Sequence, residues 1–153
     1  MRARLVYGNR MSINNFSVGR DISLDIVTGS GPLQINLITE FTSNQESTEV
    51  KVKGIDGITR FVRFFDGWKG KFNVERQDAT LDQYFSQLEQ NFFSGIGEQS
   101  VTITESIQEA NGSISQFRYL GVLLKYDDAG GWKGDSTVKQ AVSFVCSRRI
   151  QIA

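Results

Sequence analysis

Apolar and polar residues alternate in twos along most of this chain, the pattern of half-buried β-strands. In Asp21–Thr28, Ile22, Leu24 and Ile26 share one face, with Ser23 and Asp25 on the other. After the turn Gly29-Ser-Gly-Pro32 the alternation returns at Leu33, Ile35, Leu37, Thr39 and Phe41, so these two runs are expected to form a hairpin. Thr42–Glu49 is uniformly polar and reads as a loop long enough to reach a neighbour. Beyond it, Val50 and Val52 alternate with Lys51 and Lys53, an edge-like strand whose lysines discourage stray pairing. Ile58–Phe65 and Lys71–Arg76 follow, the latter with Phe72 and Val74 on one face.

The period then changes. In Thr80–Phe93, Leu81, Tyr84, Phe85, Leu88 and Phe92 fall on one stripe of a 3.6-residue helix. Thr80 and Gln83 have capping-box spacing, Asp78 and Asp82 suit the positive start, and Gly95 suits the stop. After Gly97 the alternation resumes at Val101, Ile103 and Ile107, leading to Asn111-Gly112, which suits a type I′ hairpin turn. The return strand, about 114–126, carries Leu120, Val122 and Leu124 on one face and Phe117, Tyr119 and Leu123 on the other. Apolar residues on both faces predict burial on both sides, one of them against another subunit. A last strand over roughly 137–150 places Val138, Val142, Phe144, Cys146 and Ile150 inward. The fold class that follows is mostly β: an antiparallel β-sandwich or barrel with one flanking α-helix, about residues 80–94.

Composition narrows the chemistry. The 153 residues suit one domain with a real core, and 17 basic residues balance 17 acidic ones. The exception to this balance is a basic N-terminal arm, about residues 1–12, with Arg2, Arg4 and Arg10 and no acidic residue before Asp21. There is no histidine, and Cys146 is the only cysteine, so a Cys–His nucleophile and an intrachain disulfide are both excluded. No glycine-rich loop leads from a strand into a helix to cradle phosphate, and no cofactor or metal is expected. A carboxylate-only active site would have to draw on Asp127-Asp128 or Glu105 and Glu109, acids whose spacing is that of solvated strand and turn residues. The start MRARLVYGNR lacks the apolar run of a signal peptide, and no membrane anchor is expected.

Both tryptophans occur inside Gly-Trp-Lys-Gly, at Trp68 and Trp132. Either indole would serve as a stacking platform for a sugar or base beside Lys69 or Lys133. As a structural element, each would open a strand after a turn and cover one end of the fold. Neither copy has a polar cluster around it in sequence, which favours the structural reading. Around these residues the chain resembles a known family. Asp56-Gly-Ile-Thr-Arg60, Phe65-Asp-Gly-Trp-Lys-Gly-Lys-Phe72, Arg76-Gln-Asp78 and Leu81-Asp-Gln-Tyr-Phe85 are similar to the tail tube protein of contractile-tailed bacteriophages. Asn111–Tyr119, Asp127–Gly134 and the basic Ser147-Arg-Arg149 extend the likeness over about residues 16–150.

The resemblance implies a β-barrel or sandwich with one helix, related to the tube protein of type VI secretion. It implies hexameric rings whose sheets join into an inner barrel, stacked as a tube inside a sheath, with no catalytic residues. The partners implied are further copies of the chain and the tail sheath, baseplate and tape-measure proteins, in a virion tail assembled in the host cytoplasm. A neutral chain suits a conduit that DNA passes without specific binding, since each neutralised phosphate adds affinity. Candidate subunit or ring contacts are Thr42, Asn44, Glu46 and Glu49 in the polar loop, Trp68 and Trp132, and Arg2 and Arg4 in the arm. A baseplate or tail-terminator protein of the same fold, and a lectin-like carbohydrate-binding sandwich, are the alternatives.

Overall fold

The structure is a computed structural model that describes residues 16–35 and 37–153. A 3-10 turn (Gly19–Asp21) leads into β1 (Ile22–Thr28) and β2 (Gly31–Leu33), then β3 (Ile38–Lys53) and β4 (Thr59–Glu75). The helix α1 (Thr80–Phe93) separates these from β5 (Val101–Gln108), β6 (Ile114–Asp128), β7 (Lys139–Cys146) and β8 (Arg148–Gln151). The strands pair antiparallel in the order β2-β1-β5-β6-β7-β4-β3, with β8 beside β6. The fold is mostly antiparallel β with a single helix among the described residues, as the alternation implied. It is not a closed barrel: β3 ends one side of the path and β1 with β2 the other, and these ends do not pair.

The sheet folds over on itself through β6, whose first half pairs with β5 and β8 and whose second half pairs with β7. Ile26 of β1 and Val101 and Ile103 of β5 thereby share one core with Phe72 and Val74 of β4 and Val142 and Phe144 of β7. A bulge makes the fold-over possible. Val101 faces Val122 but Ile103 faces Tyr119, so β6 carries an extra residue at Leu120-Gly121, with Gly121 at φ 66°. The bulge reverses which face is inward: Tyr119 is buried before it, Val122 and Leu124 after it. Leu123, expected on one face with Tyr119, therefore points out of the core and stays half exposed.

Several sequence expectations change at this level. The hairpin of β1 extends only to Leu33, because Ile38–Phe41 pairs with β4 instead. The polar stretch Thr42–Glu49 is strand, continuous with Val50–Lys53, since alternation is invisible where both faces of a ribbon are polar. The last strand is two: Ser147 interrupts it and donates its N–H to the Leu120 carbonyl at 3.0 Å, where the chain transfers from one half of β6 to the other. The β5–β6 turn is not a two-residue type I′ turn. Gly112 (φ 90°) is the fourth turn residue, its N–H bonded to the Glu109 carbonyl, and Asn111 Oδ1 accepts from the Ser113 amide.

The helix occupies its expected span, but its capping box is not formed: Ala79 is the N-cap, and Asp78 Oδ1 accepts from the Thr80 amide and hydroxyl instead. Leu81 is fully buried and Tyr84 and Phe85 pack on the core, whereas Leu88 is half-buried and Phe92 exposed. Phe85 stacks on Tyr126 with ring centroids 4.5 Å apart. Asp82 fixes the helix to the sheet. It accepts hydrogen bonds from Tyr126 Oη (2.5 Å) and Gln140 Nε2 (3.1 Å) and pairs with Arg76 at 3.0 Å. These partners come from the end of β6, the start of β7 and the residue after β4, so α1 covers that end of the fold.

Candidate assembly interface

β3 and β4 pair along nearly their whole length, from Ile38↔Val74 to Lys53↔Thr59, but β7 accompanies β4 only over Trp68–Glu75. Beyond Gly67 no further strand among the described residues accompanies these two, which run on as a two-stranded ribbon. Gly67 sits at the departure point with φ 100° and a bulge opposite Glu46/Ser47. A Cβ there would lie 2.3 Å from the Cys146 carbonyl oxygen, so this glycine of the first Gly-Trp-Lys-Gly is required by both conformation and space. The ribbon closes at Gly54–Ile58, with Gly57 at φ 81° and its N–H on the Gly54 carbonyl. Asp56 stabilises this turn by accepting from the Ile58 amide at 3.0 Å and pairing with Arg60 at 2.9 Å. The Arg60 guanidinium, then the Ile58 amide, hold the Asp56 carboxyl below its usual value.

Cross-strand partners share a face in an antiparallel ribbon, so each face here mixes apolar and charged groups. Val50 opposes Val62 and Thr48 opposes Phe64 on one side; Lys51 opposes Phe61, Glu49 opposes Arg63 and Ser47 opposes Phe65 on the other. Phe61, Phe64 and Phe65 are each more than half exposed, at 67%, 55% and 66%. A two-stranded ribbon is marginal in water alone, and three exposed phenylalanines on one are costly unless something covers them. Sequence reasoning placed these residues in a strand but had no signal that the strand leaves the sheet.

The sheet face opposite the core mixes polar and charged groups with the exposed apolar side chains of Val145 and Leu123. One row of partners across β3, β4, β7 and β6 is Asn44, Lys69, Val145 and Leu123; the next is Thr42, Lys71, Ser143 and Lys125. Glu46 pairs with Lys69 at 3.0 Å, and Glu49 with Arg63 at 3.7 Å on the ribbon. Thr42, Asn44 and Glu46 are thus brought together along β3, and Glu49 lies beyond the bulge. Arg2 and Arg4 lie outside the described residues.

The two tryptophans are not brought together. Trp68 lies within β4 rather than opening it, half-buried on the core side, edge-on to Tyr119 and with the Arg149 guanidinium 4.8 Å above its ring. Trp132 is exposed in the loop before β7, under Arg76 at 5.2 Å. Arg76 lies eight positions further along the chain from Trp68, a span of roughly 26 Å for an extended chain.

Beneath Trp68 is a polar node that the sequence did not signal. Arg149 pairs with Glu105 at 3.2 Å and donates to Tyr119 Oη at 3.0 Å, while Tyr119 Oη also contacts Glu105 (3.0 Å) and Ser43 Oγ (3.1 Å). Burial pushes the Tyr119 hydroxyl pKa up, and the node joins β3, β5, β6 and β8. Three of the four acids weighed for catalysis are engaged structurally. Glu105 is held by Arg149, Glu109 accepts from Ser115 Oγ at 2.6 Å, and Asp128 accepts from the Gly130 amide at 2.9 Å. Burial also raises the Cys146 thiol, a core residue. Among the described residues no cluster of potential ligands is arranged to hold a metal, and no helix is long and apolar enough to cross a membrane.

No family model and no curated protein matches the chain. Solved structures do. A chain of the sheath–tube complex of an extracellular contractile injection system (PVC, extended state) superposes with a TM-score of 0.61 at 8% identity, covering 100% of this chain and 98% of that one. A chain of the anti-feeding prophage tube-terminating cap gives 0.63 at 6% identity (97% and 98% covered), and one from its baseplate gives 0.61 at 10% (94% and 98%). At such identities the likeness is one of fold, extends over whole chains, and connects this fold with chains found in tube, cap and baseplate assemblies of contractile injection systems.

Proposed function

We propose that this chain is a structural, non-enzymatic subunit of a contractile tail-type particle, and that it forms the rings of the inner tube. The observation that carries this reading is the projecting β3–β4 ribbon, whose exposed phenylalanines require a covering surface, on a fold found end to end in contractile injection assemblies. The open sheet adds a second reason, because among the described residues no strand pairs with the outer edge of β3 along the sheet and ribbon. Six-fold rings, a lumen that DNA traverses, and contacts with sheath, baseplate and tape-measure proteins follow from the family resemblance. Thr42, Asn44, Glu46 and Glu49 contribute to the ring contact through the β3 edge, and Arg2 and Arg4 through the arm.

A cap or baseplate subunit is the second reading, favoured by superpositions on those chains as good as on the sheath–tube chain. Electron microscopy and sedimentation of the purified chain separate the two. Stacked rings growing into hollow tubes support the tube reading; single rings that never stack support the cap or baseplate reading. A monomer at all concentrations sinks both.

A further inference from the structure

An open groove of about 670 Å³ lies beside α1, against the end of β6. Phe85, Leu88 and Phe92 give it an apolar lining, and among the described residues every charged side chain lining it is an acid: Asp82, Glu89 and Glu98. Phe92, Phe93 and Ile96 are each more than half exposed, so the end of the helix carries uncovered apolar surface. The acidity reaches beyond the groove, because the chain has no lysine or arginine between Arg76 and Arg118. Asp82 is balanced by Arg76, but among the described residues no base pairs with Glu89 or Glu98.

We propose that the β3–β4 ribbon of a second copy of the chain occupies this groove, an inference that rests on the self-assembly proposed above. The ribbon complements the groove in charge and in apolar surface. Between Val50 and Phe65 it carries Lys51, Lys53, Arg60 and Arg63 against Asp56 alone. Arg60 and Arg63 have acidic partners on the ribbon itself, whereas among the described residues Lys51 and Lys53 have none. The register puts both lysines on the same ribbon face as the exposed Phe61 and Phe65. Laid on the groove, that face covers aromatic surface on both copies and brings Lys51 and Lys53 to Glu89 and Glu98. The ribbon cannot reach the groove of its own copy. Phe65 and Glu75 lie ten positions apart on β4, roughly 30 Å, with α1 following at the Glu75 end and the ribbon projecting from the other. The contact therefore joins opposite ends of neighbouring copies, the head-to-tail kind from which rings and stacks are built.

Cross-linking of the assembled full chain tests the docking. Particles grown from a mixture of unlabelled and nitrogen-15-labelled chain are treated with a carbodiimide, which joins amines to carboxylates without a spacer, and digested for mass spectrometry. Lys51 or Lys53 should be found linked to Glu89 or Glu98 in peptide pairs of mixed label. Charge reversal gives a second reading. Glu89→Lys with Glu98→Lys should raise the concentration at which particles form by about tenfold or more, and adding Lys51→Glu with Lys53→Glu should restore it. Particles that lack these links, or a reversed groove that assembles as readily as the unaltered chain, would overturn the docking, leave the groove to a different partner and leave the tube reading standing. Links only between peptides of the same label would place the contact within one copy and overturn it too. A chain that stays monomeric at every concentration would sink the docking and the tube reading together.

Discussion

Arg149 is one side chain that serves three interactions: it neutralises Glu105, orders Tyr119, and lies over the rings of Trp68 and Phe117. Glu105 is only 7% exposed, so removing the guanidinium leaves a buried charge with no cation to balance it and only the Tyr119 hydroxyl as a hydrogen-bond partner. Arg149→Ala should therefore cost about 3–5 kcal/mol, whereas replacing Glu105 and Arg149 together by apolar residues of similar volume should recover much of that loss. Urea denaturation of the two single variants and the double variant measures the difference; an additive double variant would mean the pair is not coupled. The tryptophans separate at the same scale. Trp68→Ala should cost about 2–3 kcal/mol, short of the 3–5 expected for a fully buried indole, with Trp68→Phe milder. Trp132→Ala should change protomer stability by no more than about 0.5 kcal/mol, because its ring is exposed and touches chiefly Arg76. Two identical tetrapeptides thus do different work, because a motif specifies local backbone chemistry while burial is decided by what the topology brings alongside.

The helix is the element most legible in the sequence, because a 3.6-residue stripe survives any arrangement of the strands around it. What the stripe could not show was the depth of each position. Leu81, packed into the core, should cost about 2–5 kcal/mol as Leu81→Ala, and half-buried Leu88 less than about 2 kcal/mol. Reversal of that order in thermal denaturation would contradict the docking described. The strands were legible as alternation, but not their ends: a bulge such as that at Gly121 reverses face assignment midway, and polar ribbon residues such as Thr42–Glu49 carry no inside or outside to alternate between. The attachment of the helix also has a pH dependence with a definite sign. The Tyr126 hydroxyl, and after it Arg76, lower the Asp82 pKa against the opposing effect of burial. A depressed carboxylate pKa contributes stability that is present above the unfolded value, roughly 3.9, and is lost as pH falls through the folded one. Helix docking, followed by near-ultraviolet dichroism of Tyr126 and Phe85, should loosen as pH falls below about 4. Tyr126→Phe should begin loosening at higher pH than the unaltered chain, and Asp82→Asn should abolish the dependence.

At the scale of the whole molecule, the fold divides into a core that is complete across β4, β5, β6 and β7 and a ribbon that is complete only with something laid against it. The proposed assembly role predicts that these parts can be separated by substitution. Phe61→Ser, Phe64→Ser and Phe65→Ser remove exposed side chains from a segment that makes no contribution to the buried core. Each should therefore leave the unfolding free energy of the protomer within about 0.5 kcal/mol. If the ribbon is the covered surface of a ring or stack, the same changes should abolish or shorten the assembled particles seen by electron microscopy and shift the sedimenting species toward monomer. Arg63→Glu offers an independent check, since it places two acids opposite each other at Glu49 without changing apolar area, and it should weaken assembly most at low salt. Ribbon variants that polymerise as readily as the unaltered chain would move the interface elsewhere, to the Thr42, Asn44 and Lys69 face or to the β3 edge. Variants that unfold would show that the ribbon is held by the protomer itself. Loss of assembly with an intact protomer is the outcome expected, because exposed phenylalanines on a two-stranded ribbon gain their stabilisation only when a second surface excludes water from them.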